Sequence, residues 1–535
     1  MTHPARSARP AGLRPPVPPV LVVGAGPVGQ TTALLLARWG VPSVVLDGRA
    51  GRTAAGSRAI CQQRDVLDVW EAVGAGRRIA EAGVTWTTAR TFHRGTELFS
   101  MTLDEPGRPA FPPFVNVSQA TTEAILDERI AEEPLVEVRW GHRVESLAQD
   151  TAGVTVTCGN GVVLSGSHAV LCAGGRADDL RAQLGVSLRG RSFDDRFLIC
   201  DVRADLPGWA TERRFHFDPE WNPGRQVLIH PCPDSVFRID WQVPPDHDLD
   251  AEIAAGALDT RIRKVLGGAL EHDYELVWCS VYRFQSRVAD RMRCGRVLLA
   301  GDAAHLLSPF GARGLNSGVA DAENAAWKIA YVRRGWAPEE LLESYHAERH
   351  AAARENLEVT TATMDFLVPP DEAARSRRAA VLERAAAEPA ARAAVDSGRL
   401  SEPFWYVDSP LTTPDPRRPF AGRPPRGESP PAGPGVIVPD GPVRGGRLRA
   451  LARDGFLLLT GGDGAPTVGV PGPARVLSLP EIDQDGTLTA ALGARPDETW
   501  LIRPDAHVAA VVTDETALRR AVVAATGSGH DAITV

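Results

Sequence analysis

Apolar runs and helical patterns alternate near the start of the chain. Val20–Val23 is a short apolar run followed by the glycine-rich segment Gly24–Gly29. A helix is predicted from there to about Trp39, after which Gly40 can adopt the left-handed conformation that ends many helices. A second apolar run, VPSVVLD, ends at Asp47. This is a β-α-β pattern, and short right-handed connections put its two strands side by side and parallel.

The pattern changes further along the chain. Between about Phe193 and Phe284, the β-rich pieces RRFHF, RQVLIH, SVFRIDWQV and LVWCSVYRF predict an antiparallel sheet. After Gly301 the pattern is helical to about Val395, and a segment dense in Pro and Gly then predicts a linker or wrapping arm. From about Val436 a compact α/β segment follows, with FLLLT, ARVLSL and TWLIRPDAHVAAVV as its predicted strands.

Bulk composition limits the classes of function. At about 100 to 200 residues per domain, a chain of 535 residues predicts three or so domains. A net charge of −8 and a pI near 6.0 argue against a nucleic-acid-binding surface, because phosphate tracts need clustered cations. No run reaches the ~18 apolar residues of a membrane span.

The first residues and the cysteines favour a cytoplasmic protein. Residues 1–17 lack the apolar core of a secretory signal, so a disordered tail is predicted there. Seven cysteines, an odd number without a CxxC pair, are typical of reduced thiols rather than of a disulfide framework or a zinc site. We expect no metal, and either a monomer or a homodimer.

The first glycine turn predicts a dinucleotide site. Gly24 permits the tight turn, Gly26 lets the backbone approach a pyrophosphate, and Gly29 lets the helix pack on its strand, with Pro27 at the helix start. Unpaired amides at the helix start face an anion. Asp47 ends the second strand, where its carboxylate can accept a hydrogen bond from a ribose hydroxyl. This unit alone does not distinguish NAD from FAD.

A second glycine turn, in RVLLAGDAAHLLSPFGARGLN, favours FAD. Its strand places Asp302 at the carboxyl edge, where the acid can accept hydrogen bonds from a polyol chain. The small residues from Pro309 to Gly314 lead to a helix predicted over about Asn316 to Arg333, whose first amides would point at a bound group. A nicotinamide cofactor needs neither feature, whereas the ribityl chain and the flavin ring of FAD use both.

These motifs carry a resemblance to a known family. The segment GDAAHLLSPFGARGLNSGVADAENAAWKIA resembles the second flavin motif of class A flavoprotein monooxygenases of para-hydroxybenzoate hydroxylase type. GSRAICQQRDVLDVWEAVG and FPPFVNVSQATTEAIL resemble their flanking segments. The pattern is more similar still to the larger phenylpropionate and polyketide hydroxylases, which add a C-terminal thioredoxin-like domain. The resemblance covers about residues 18–535.

The resemblance implies an α/β fold with a Rossmann-like FAD-binding domain, an antiparallel β-sheet substrate domain and a thioredoxin-like domain. The expected domains are FAD binding over 18–192 and 285–396, substrate binding over 193–284, a linker over 397–435 and a cysteine-free thioredoxin-like domain over 436–535; residues 86–111 could join the substrate domain. It also implies FAD contacts from two polar side chains and from the start of the second-motif helix, namely Arg58, Gln119, Pro309, Gly314, Leu315 and Asn316.

One segment departs from the family pattern. Family members carry a strand ending in Asp-Gly with a downstream Ser and Arg, associated with FAD and NAD(P)H handling. This chain reads VLCAGGRADDLRAQLG, with Ala173 in place of the Asp and Ala177 in place of the Ser. Either Asp178 or Asp179 substitutes from the next turn, or the chain handles its reductant differently.

The resemblance implies hydroxylation of an aromatic or polyketide-like molecule through a flavin hydroperoxide, with NADPH or NADH and O2. In such chemistry the protein supplies shielding from water, a proton source and an aligned substrate. Baeyer–Villiger oxidation and epoxidation use the same fold. Two other classes stay open: a nicotinamide-only dehydrogenase, and an FAD-binding protein that shapes its substrate without oxygenating it.

The β-rich middle segment is the expected roof over the flavin ring. Its polar side chains include candidates for a base that deprotonates a phenol, and ordinary sheet roles explain each of them as well: His216, His230, Arg238, Asp240, Tyr282 and Arg283. Three aromatic residues could stack on a flat substrate or simply fill the core: Trp221, Trp241 and Phe284.

Overall fold

A six-stranded sheet contains the predicted β-α-β unit. The computed structural model of the chain describes residues 18–52, 59–103, 108–267, 273–425, 428–464 and 466–527. Val20–Val23 pairs in parallel with Ser43–Leu46, and the helix Pro27–Arg38 connects them, as predicted. In spatial order the six strands are Arg293–Cys294, Val297–Leu299, Ala169–Leu171, Val20–Val23, Ser43–Leu46 and Val136–Arg139.

The second-motif helix spans Arg313–Arg333 and packs beside Pro27–Arg38. It begins three residues before the predicted start at Asn316, because Ala312 takes the left-handed conformation (φ 58°) and reverses the chain there. Small residues on both helices, including Ala33 and Ala326, are buried in one core with the sheet. The two glycine-rich turns are therefore brought to the same end of the sheet.

The β-rich segment forms an eight-stranded sheet beside the six-stranded one, so the predicted α/β fold class is confirmed apart from its thioredoxin-like part. Neighbouring strands are antiparallel except for Glu212–Phe217, which pairs in parallel with Thr88–His93. The strands of the 86–111 segment thus lie in this sheet. Its spatial order is His305–Leu306, Tyr274–Ala289, Leu188–Ala204, Val236–Val243, Gln226–Cys232, Glu212–Phe217, Thr88–His93 and Thr96–Thr102.

The eight-stranded sheet is covered on both faces. Helices Leu249–Ala254 and Ala257–Val265, which the sequence patterns did not predict, pack on what we call the outer face, together with Trp241. The opposite, inner face packs Phe197 and other aromatic rings against Phe310, which belongs to the second glycine turn. The inner face therefore overhangs the turn that is predicted to hold the flavin.

Smaller elements fill the space around these two sheets. The remaining strands of this part are Val144–Gln149, Val154–Cys158 and Val163–Gly166 in one sheet, and Cys61–Gln63, Phe114–Asn116 and Val84–Thr85 in another. The remaining α-helices of this part are Arg64–Glu71, Gly76–Glu81, Gln119–Ala131, Asp178–Gln183, Glu343–Leu367 and Glu372–Ala387. Over the described residues, no helix is both long and apolar enough to cross a membrane.

The C-terminal region, residues 436–527, contains a mixed four-stranded sheet. Its spatial order is Ala474–Ser478, Phe456–Thr460, Thr499–Ile502 and Val508–Val512. TWLIRPDAHVAAVV forms the last two strands as an antiparallel hairpin. A two-stranded pair, Pro442–Val443 with Gly446–Arg447, precedes the sheet. Among the described residues of this region, four α-helices complete it: Leu448–Ala452, Leu479–Ile482, Thr487–Leu492 and Glu515–Thr526. The thioredoxin-like description of this region stays a prediction.

Candidate functional site

Each of the three glycines of the first turn is needed for a different steric reason. Gly24 has φ +111°, and a Cβ there would lie 2.3 Å from the carbonyl oxygen of Cys172. A Cβ on Gly29 would lie 1.9 Å from the carbonyl oxygen of Gly24, so this glycine lets the helix approach the strand. A Cβ on Gly26 would meet no atom within 4 Å. Gly26 therefore faces open space, as a pyrophosphate-binding backbone requires.

Asp47 lies at the predicted strand end, but its carboxylate already has partners. It accepts a hydrogen bond from the Ala25 amide at 2.9 Å, and Arg49 donates to both of its oxygens at 2.9 and 3.0 Å. Burial raises the pKa of Asp47, and the bonds from Arg49 and Ala25 outweigh this effect and lower the pKa overall. The acid is thus a fixed anion that ties the turn to the strand, with its remaining accepting capacity available to a ribose.

Arg52 is a charged neighbour of this turn that the sequence analysis missed. Its Nη1 donates to the Ala25 carbonyl at 2.7 Å and to Glu123 at 2.9 Å, and its Nε donates to Asp127 at 2.7 Å. Gln119, an implied FAD contact, donates to the other oxygen of Glu123 at 2.8 Å. Arg58, the other implied polar contact, lies outside the described residues. No local motif marks Arg52, because its carboxylate partners Glu123 and Asp127 lie on the helix Gln119–Ala131, more than 70 residues away in sequence.

The second turn meets the first. A Cβ on Gly301 (φ +59°) would lie 3.0 Å from Val28, and one on Gly318 would lie 2.6 Å from Val28. Val28 follows Pro27 in the first turn of the first helix, so the two motifs touch through this side chain. Asp302 is exposed beside Gly301, at the carboxyl edge of the strand Val297–Leu299.

The start of the second helix is held by Asn316. Its side-chain amide donates to the Cys61 carbonyl at 3.0 Å and accepts from the Gln63 amide at 3.0 Å. This side chain therefore fixes the helix against the strand Cys61–Gln63. Any contact of Asn316 with the flavin would then come from its backbone amide. A Cβ on Gly314 would meet nothing within 4 Å, so the first turn of the helix is open on that side. Pro309 is exposed and Leu315 is half-buried.

These residues fit FAD. Open space lies at Gly26 in the phosphate turn and at Gly314 in the second turn, and the acid Asp302, at the start of the second turn, is exposed. Glycines that face open space rather than protein are expected where a ligand backs onto the main chain. A cofactor with a phosphate part, a hydroxylated chain and a ring matches this set of features.

The departing segment is anchored by Arg181, a second residue that sequence reasoning did not single out. Its Nη1 donates to the Ala303 carbonyl at 3.1 Å, and its Nη2 donates to the Gly175 carbonyl at 3.0 Å and to Asp178 at 2.6 Å. The segment is thus tied to the second glycine turn. Asp178 is used in this ion pair and its side chain is 85% exposed, so in this structure it does not take the place of an acid at Ala173.

The candidate bases are divided between the faces of the eight-stranded sheet. Side chains alternate between the faces along a strand. His230 lies opposite Arg238, and Asp240 lies opposite Leu228, in the same register row as Phe215. Phe215 lies 6.2 Å, ring to ring, from Phe310. His230, Arg238 and Asp240 therefore share the inner face.

The other candidates separate. Tyr282 lies opposite Phe197 and so joins the inner face. His216 is on the outer face, stacked at 4.6 Å on Phe92, and burial and then Arg214 lower its pKa to about 4. Arg283 is exposed and donates to the Phe193 carbonyl at 2.8 Å and to Asp194 at 3.2 Å. Of the aromatic candidates, Phe284 lies against Phe310, Trp241 is buried under the outer helices, and Trp221 lies 5.6 Å from His216.

The inner face is electrostatically unusual. Arg238 forms a two-bond ion pair with Asp201, at 2.7 Å for each bond. Burial raises the pKa of Asp240 to about 7, although Arg238 opposes the shift. Burial, with Arg213 and Arg238 nearby, lowers the pKa of His230 well below its usual range. Among the described residues, Asp240 Oδ1 and His230 Nδ1 are buried without a hydrogen-bond partner.

Comparison with known families identifies the family to which the chain belongs. The FAD binding domain family matches residues 18–360, so the chain belongs to that family. The match contains both glycine turns, the departing segment and the eight-stranded sheet. FAD is therefore the cofactor that the family and the site geometry indicate together.

Two curated relatives differ in their named activities. Over 346 residues the chain is 31% identical to a 3-(3-hydroxy-phenyl)propionate/3-hydroxycinnamic acid hydroxylase of Mycobacterium sp. (strain JLS), covering 64% of this chain and 59% of the relative. Over 334 residues it is 34% identical to dialkyldecalin synthase of Streptomyces rugosporus, covering 62% and 69%. The chain thus matches about three fifths of the length of the first relative.

A solved structure matches almost the whole fold. The flavin-dependent monooxygenase PieE, in complex with FAD and substrate, superimposes with a TM-score of 0.81. The match covers 96% of this chain and 99% of PieE, at 24% sequence identity. At this identity the likeness shows a shared fold, which includes the C-terminal region.

Proposed function

We propose that the protein is an FAD-dependent monooxygenase that hydroxylates an aromatic or polyketide-like small molecule, with NADPH or NADH as reductant and O2 as co-substrate. One observation carries this proposal: the two glycine turns meet through Val28 beneath the inner face of the eight-stranded sheet. A flavin held along those turns has its ring beside that face. The hydroxylase named among the relatives supports the same activity.

FAD, when bound, supplies the redox chemistry, and the protein supplies binding, orientation and shielding. Gly26 and the first-helix amides would receive the pyrophosphate, and Asp302 would bind the ribityl hydroxyls. Gly314 leaves room for the ring beside the helix start. The overhanging sheet would exclude water from the ring, which limits side reactions.

The inner face indicates the kind of substrate. Phe197 and Phe215 are buried against Phe310, and the half-buried ring of Phe284 is the aromatic surface that this face offers. The same face carries polar groups, among them Asp240, whose Oδ1 is buried. We infer a flat molecule with one edge that bears hydroxyl or carbonyl oxygens. Asp240 can take a proton from a substrate hydroxyl near neutral pH, since a base works best when its pKa lies near the working pH.

The first test concerns the cofactor. FAD is expected to be non-covalent, so acid precipitation of the purified yellow protein should release the colour into the supernatant. Colour that stays in the pellet would contradict non-covalent binding. A colourless protein that takes up no added FAD would contradict the cofactor assignment itself.

The second test concerns oxygen transfer. The protein with FAD and NADPH is mixed under 18O2 with 3-(3-hydroxyphenyl)propionate and with polycyclic hydroxyquinones as probes. We expect one 18O atom in the product of at least one probe, detected as a mass increase. Flavin reduction that yields only hydrogen peroxide with every probe would count against hydroxylation of these classes.

An FAD protein that shapes its substrate without oxygenating it is the main alternative. The Ala173 departure and the relative named dialkyldecalin synthase are compatible with it. The hydroxylases and the monooxygenase named among the relatives favour hydroxylation. Conversion of a substrate with no 18O uptake and no NADPH consumption would reverse that preference. Product structure separates hydroxylation from Baeyer–Villiger oxidation and epoxidation.

A further inference from the structure

A buried ion pair joins the C-terminal region to the rest of the protein. Arg503 follows the strand Thr499–Ile502 and donates to both oxygens of Glu348, at 2.5 and 3.0 Å. Its Nε and Nη2 also donate to Asp505, at 3.1 and 2.5 Å. The side chains of Arg503 and Glu348 are fully buried. One guanidinium therefore neutralises two buried acids, one on each side of the contact.

Glu348 belongs to a larger network on the cofactor side. It accepts further bonds from Lys328 at 2.6 Å and from Asn324 at 2.7 Å, both on the second-motif helix. Burial raises the pKa of Glu348, and Arg503 and then Lys328 outweigh burial, so that its pKa is lowered overall. Glu348 is thus an anion whose charge depends on partners from two parts of the molecule.

The next residue along the helix continues the network to the FAD site. Arg349 donates to one oxygen of Asp321 at 2.7 Å. The other oxygen of Asp321 accepts from the Gly301 amide at 2.9 Å and pairs with His305 at 2.7 Å. Gly301 has a positive φ and directly precedes Asp302. The backbone that presents Asp302 is therefore fixed by a buried acid, which is in turn held by Arg349.

Tyr406, in the predicted linker, connects the two halves of the network. Its hydroxyl accepts from Arg349 at 2.9 Å, and the Arg503 guanidinium lies 5.0 Å from its ring. Networks of buried hydrogen bonds and ion pairs are coupled, and removing one partner leaves the other charge buried and uncompensated. A continuous chain of contacts thus connects Arg503, through Tyr406, Glu348 and Arg349, to the Gly301 turn.

We propose that the C-terminal region is a positioning element of the FAD site, with Arg503 as its key residue: docking of this region fixes the Gly301 turn and strengthens FAD binding. The proposal assigns the region a role that the proposed hydroxylation does not require. Coupling between two sites is reciprocal, so FAD must strengthen the docking by the same factor. A purely structural contact would change unfolding without changing the affinity of the folded protein for FAD.

Arg503→Met tests the coupling, and Arg520→Met is its matched control. Arg520 lies in the same region, on the exposed side of the helix Glu515–Thr526. FAD affinity is measured by fluorescence titration of the full-length apo-protein, at a temperature where circular dichroism shows each variant folded. We expect Arg503→Met to weaken FAD binding about tenfold or more and Arg520→Met to leave it unchanged. Arg503→Lys, which keeps the charge, should recover part of the loss.

Tyr406→Phe is the second variant, since it removes only one hydroxyl and keeps the ring. It should weaken FAD binding severalfold, and it decides the matter if Arg503→Met does not fold. In the wild type, hydrogen exchange of Val508–Val512 should slow when FAD is added, and this slowing should disappear in Tyr406→Phe. Unchanged FAD affinity in folded Tyr406→Phe and Arg503→Met would overturn the proposal. Wild-type protein that binds no FAD would overturn the cofactor assignment, a distinct failure.

Discussion

At the scale of single residues, Asp302 carries the most specific expectation. Its exposed carboxylate lies where a ribityl chain would pass, and a hydrogen bond to a charged group contributes about 1.5 to 3 kcal/mol. Asp302→Ala should therefore weaken FAD binding by about 10- to 150-fold, measured by titration of the apo-protein. Asp178→Ala is the control, because that acid bonds only to Arg181 among the described residues. Equal losses in the two variants would show that the ribityl assignment is wrong.

Asp240 should make the stability of the protein depend on pH. Its pKa is raised from 3.8 to about 7 by burial, so between these values the folded chain keeps a proton that the unfolded chain has lost. Stability therefore falls as pH rises through this window and levels off above it. Since one pKa unit corresponds to about 1.4 kcal/mol, the free energy of unfolding of the wild type should fall by more than about 1 kcal/mol between pH 5 and pH 8 because of Asp240. Asp240→Asn should remove this fall.

Urea unfolding at several pH values measures the Asp240 effect. Asp246→Asn, at an exposed position in the loop that follows the same strand, serves as the control and should keep the wild-type pH profile. A profile that is the same in wild type and Asp240→Asn would mean that Asp240 ionises normally in the folded protein. In an active preparation, the same substitution should also remove a step near pH 7 from the kcat/KM profile.

The candidate site residues whose local geometry agrees with the sequence prediction are those with a local signature. Gly24, Gly26 and Gly29 follow from a spacing whose steric reasons act within one turn. Arg52 and Arg181 could not be found this way, because their partners Asp127 and Ala303 lie 75 and 122 residues away. His216 shows a related limit: period-two alternation predicts a strand but not which of its faces meets the cofactor.

At the scale of elements, the first glycine turn allows binding and folding to be separated. A Cβ on Gly29 would lie 1.9 Å from a backbone oxygen, whereas one on Gly26 would meet only open space. Gly29→Ala should therefore lower the melting temperature of the apo-protein, because the helix must move off its strand. Gly26→Ala should leave that temperature nearly unchanged and weaken FAD binding strongly, because the methyl group occupies the pyrophosphate position.

Differential scanning fluorimetry of apo-protein and FAD titration together measure these two effects. Gly26 has φ −76°, which alanine adopts without strain, so backbone strain does not complicate the comparison. If Gly26→Ala destabilised the apo-protein as much as Gly29→Ala did, the open space would not be a ligand position.

The strand end at Ala173 allows a test of reductant handling. Family members have an Asp there, and Asp178 pairs with Arg181 instead of replacing it. We expect slow flavin reduction by NADPH in the wild type, and faster reduction in Ala173→Asp with little change in FAD affinity. A Cβ on Gly174 would meet no atom within 4 Å, so a carboxylate has room nearby. Stopped-flow absorbance measures both rates, and fast wild-type reduction that the substitution leaves unchanged would contradict the hypothesis.

Element prediction succeeded where one periodicity dominated. The strands Val20–Val23 and Phe456–Thr460 are apolar runs with clear ends, and both were located within a residue. The helices Leu249–Ala254 and Ala257–Val265 were missed, because each is short and lies in a segment otherwise dominated by strand patterns. The early start of the second-motif helix depends on Ala312 at φ 58°, a conformation that residue type alone does not predict for alanine.

At the scale of the whole molecule, the sequence predicted a separate C-terminal unit but not its attachment. The attachment combines an apolar seam with buried charges: Trp327 and Tyr331 of the second-motif helix pack against Phe456 and Leu501, beside the Arg503 network. None of these residues is unusual in its own segment. They form an interface only when two segments more than a hundred residues apart in sequence come together in the fold. No local sequence pattern predicts such a contact.

A chain that ends at residue 435 should therefore be poorly soluble. Removal of the C-terminal region would expose Trp327 and Tyr331, which are buried in the full chain. Burial of one large apolar side chain stabilises a folded protein by about 1.5 to 3 kcal/mol, and this stabilisation would be lost. We expect aggregation in size-exclusion chromatography and strong binding of a hydrophobic dye. Replacing both aromatic residues by Gln in the shortened chain should restore solubility, because the exposed seam becomes polar while Gln keeps the helix. A soluble shortened chain that binds FAD as tightly as the full chain would show that neither the seam nor the charge network supports the FAD site.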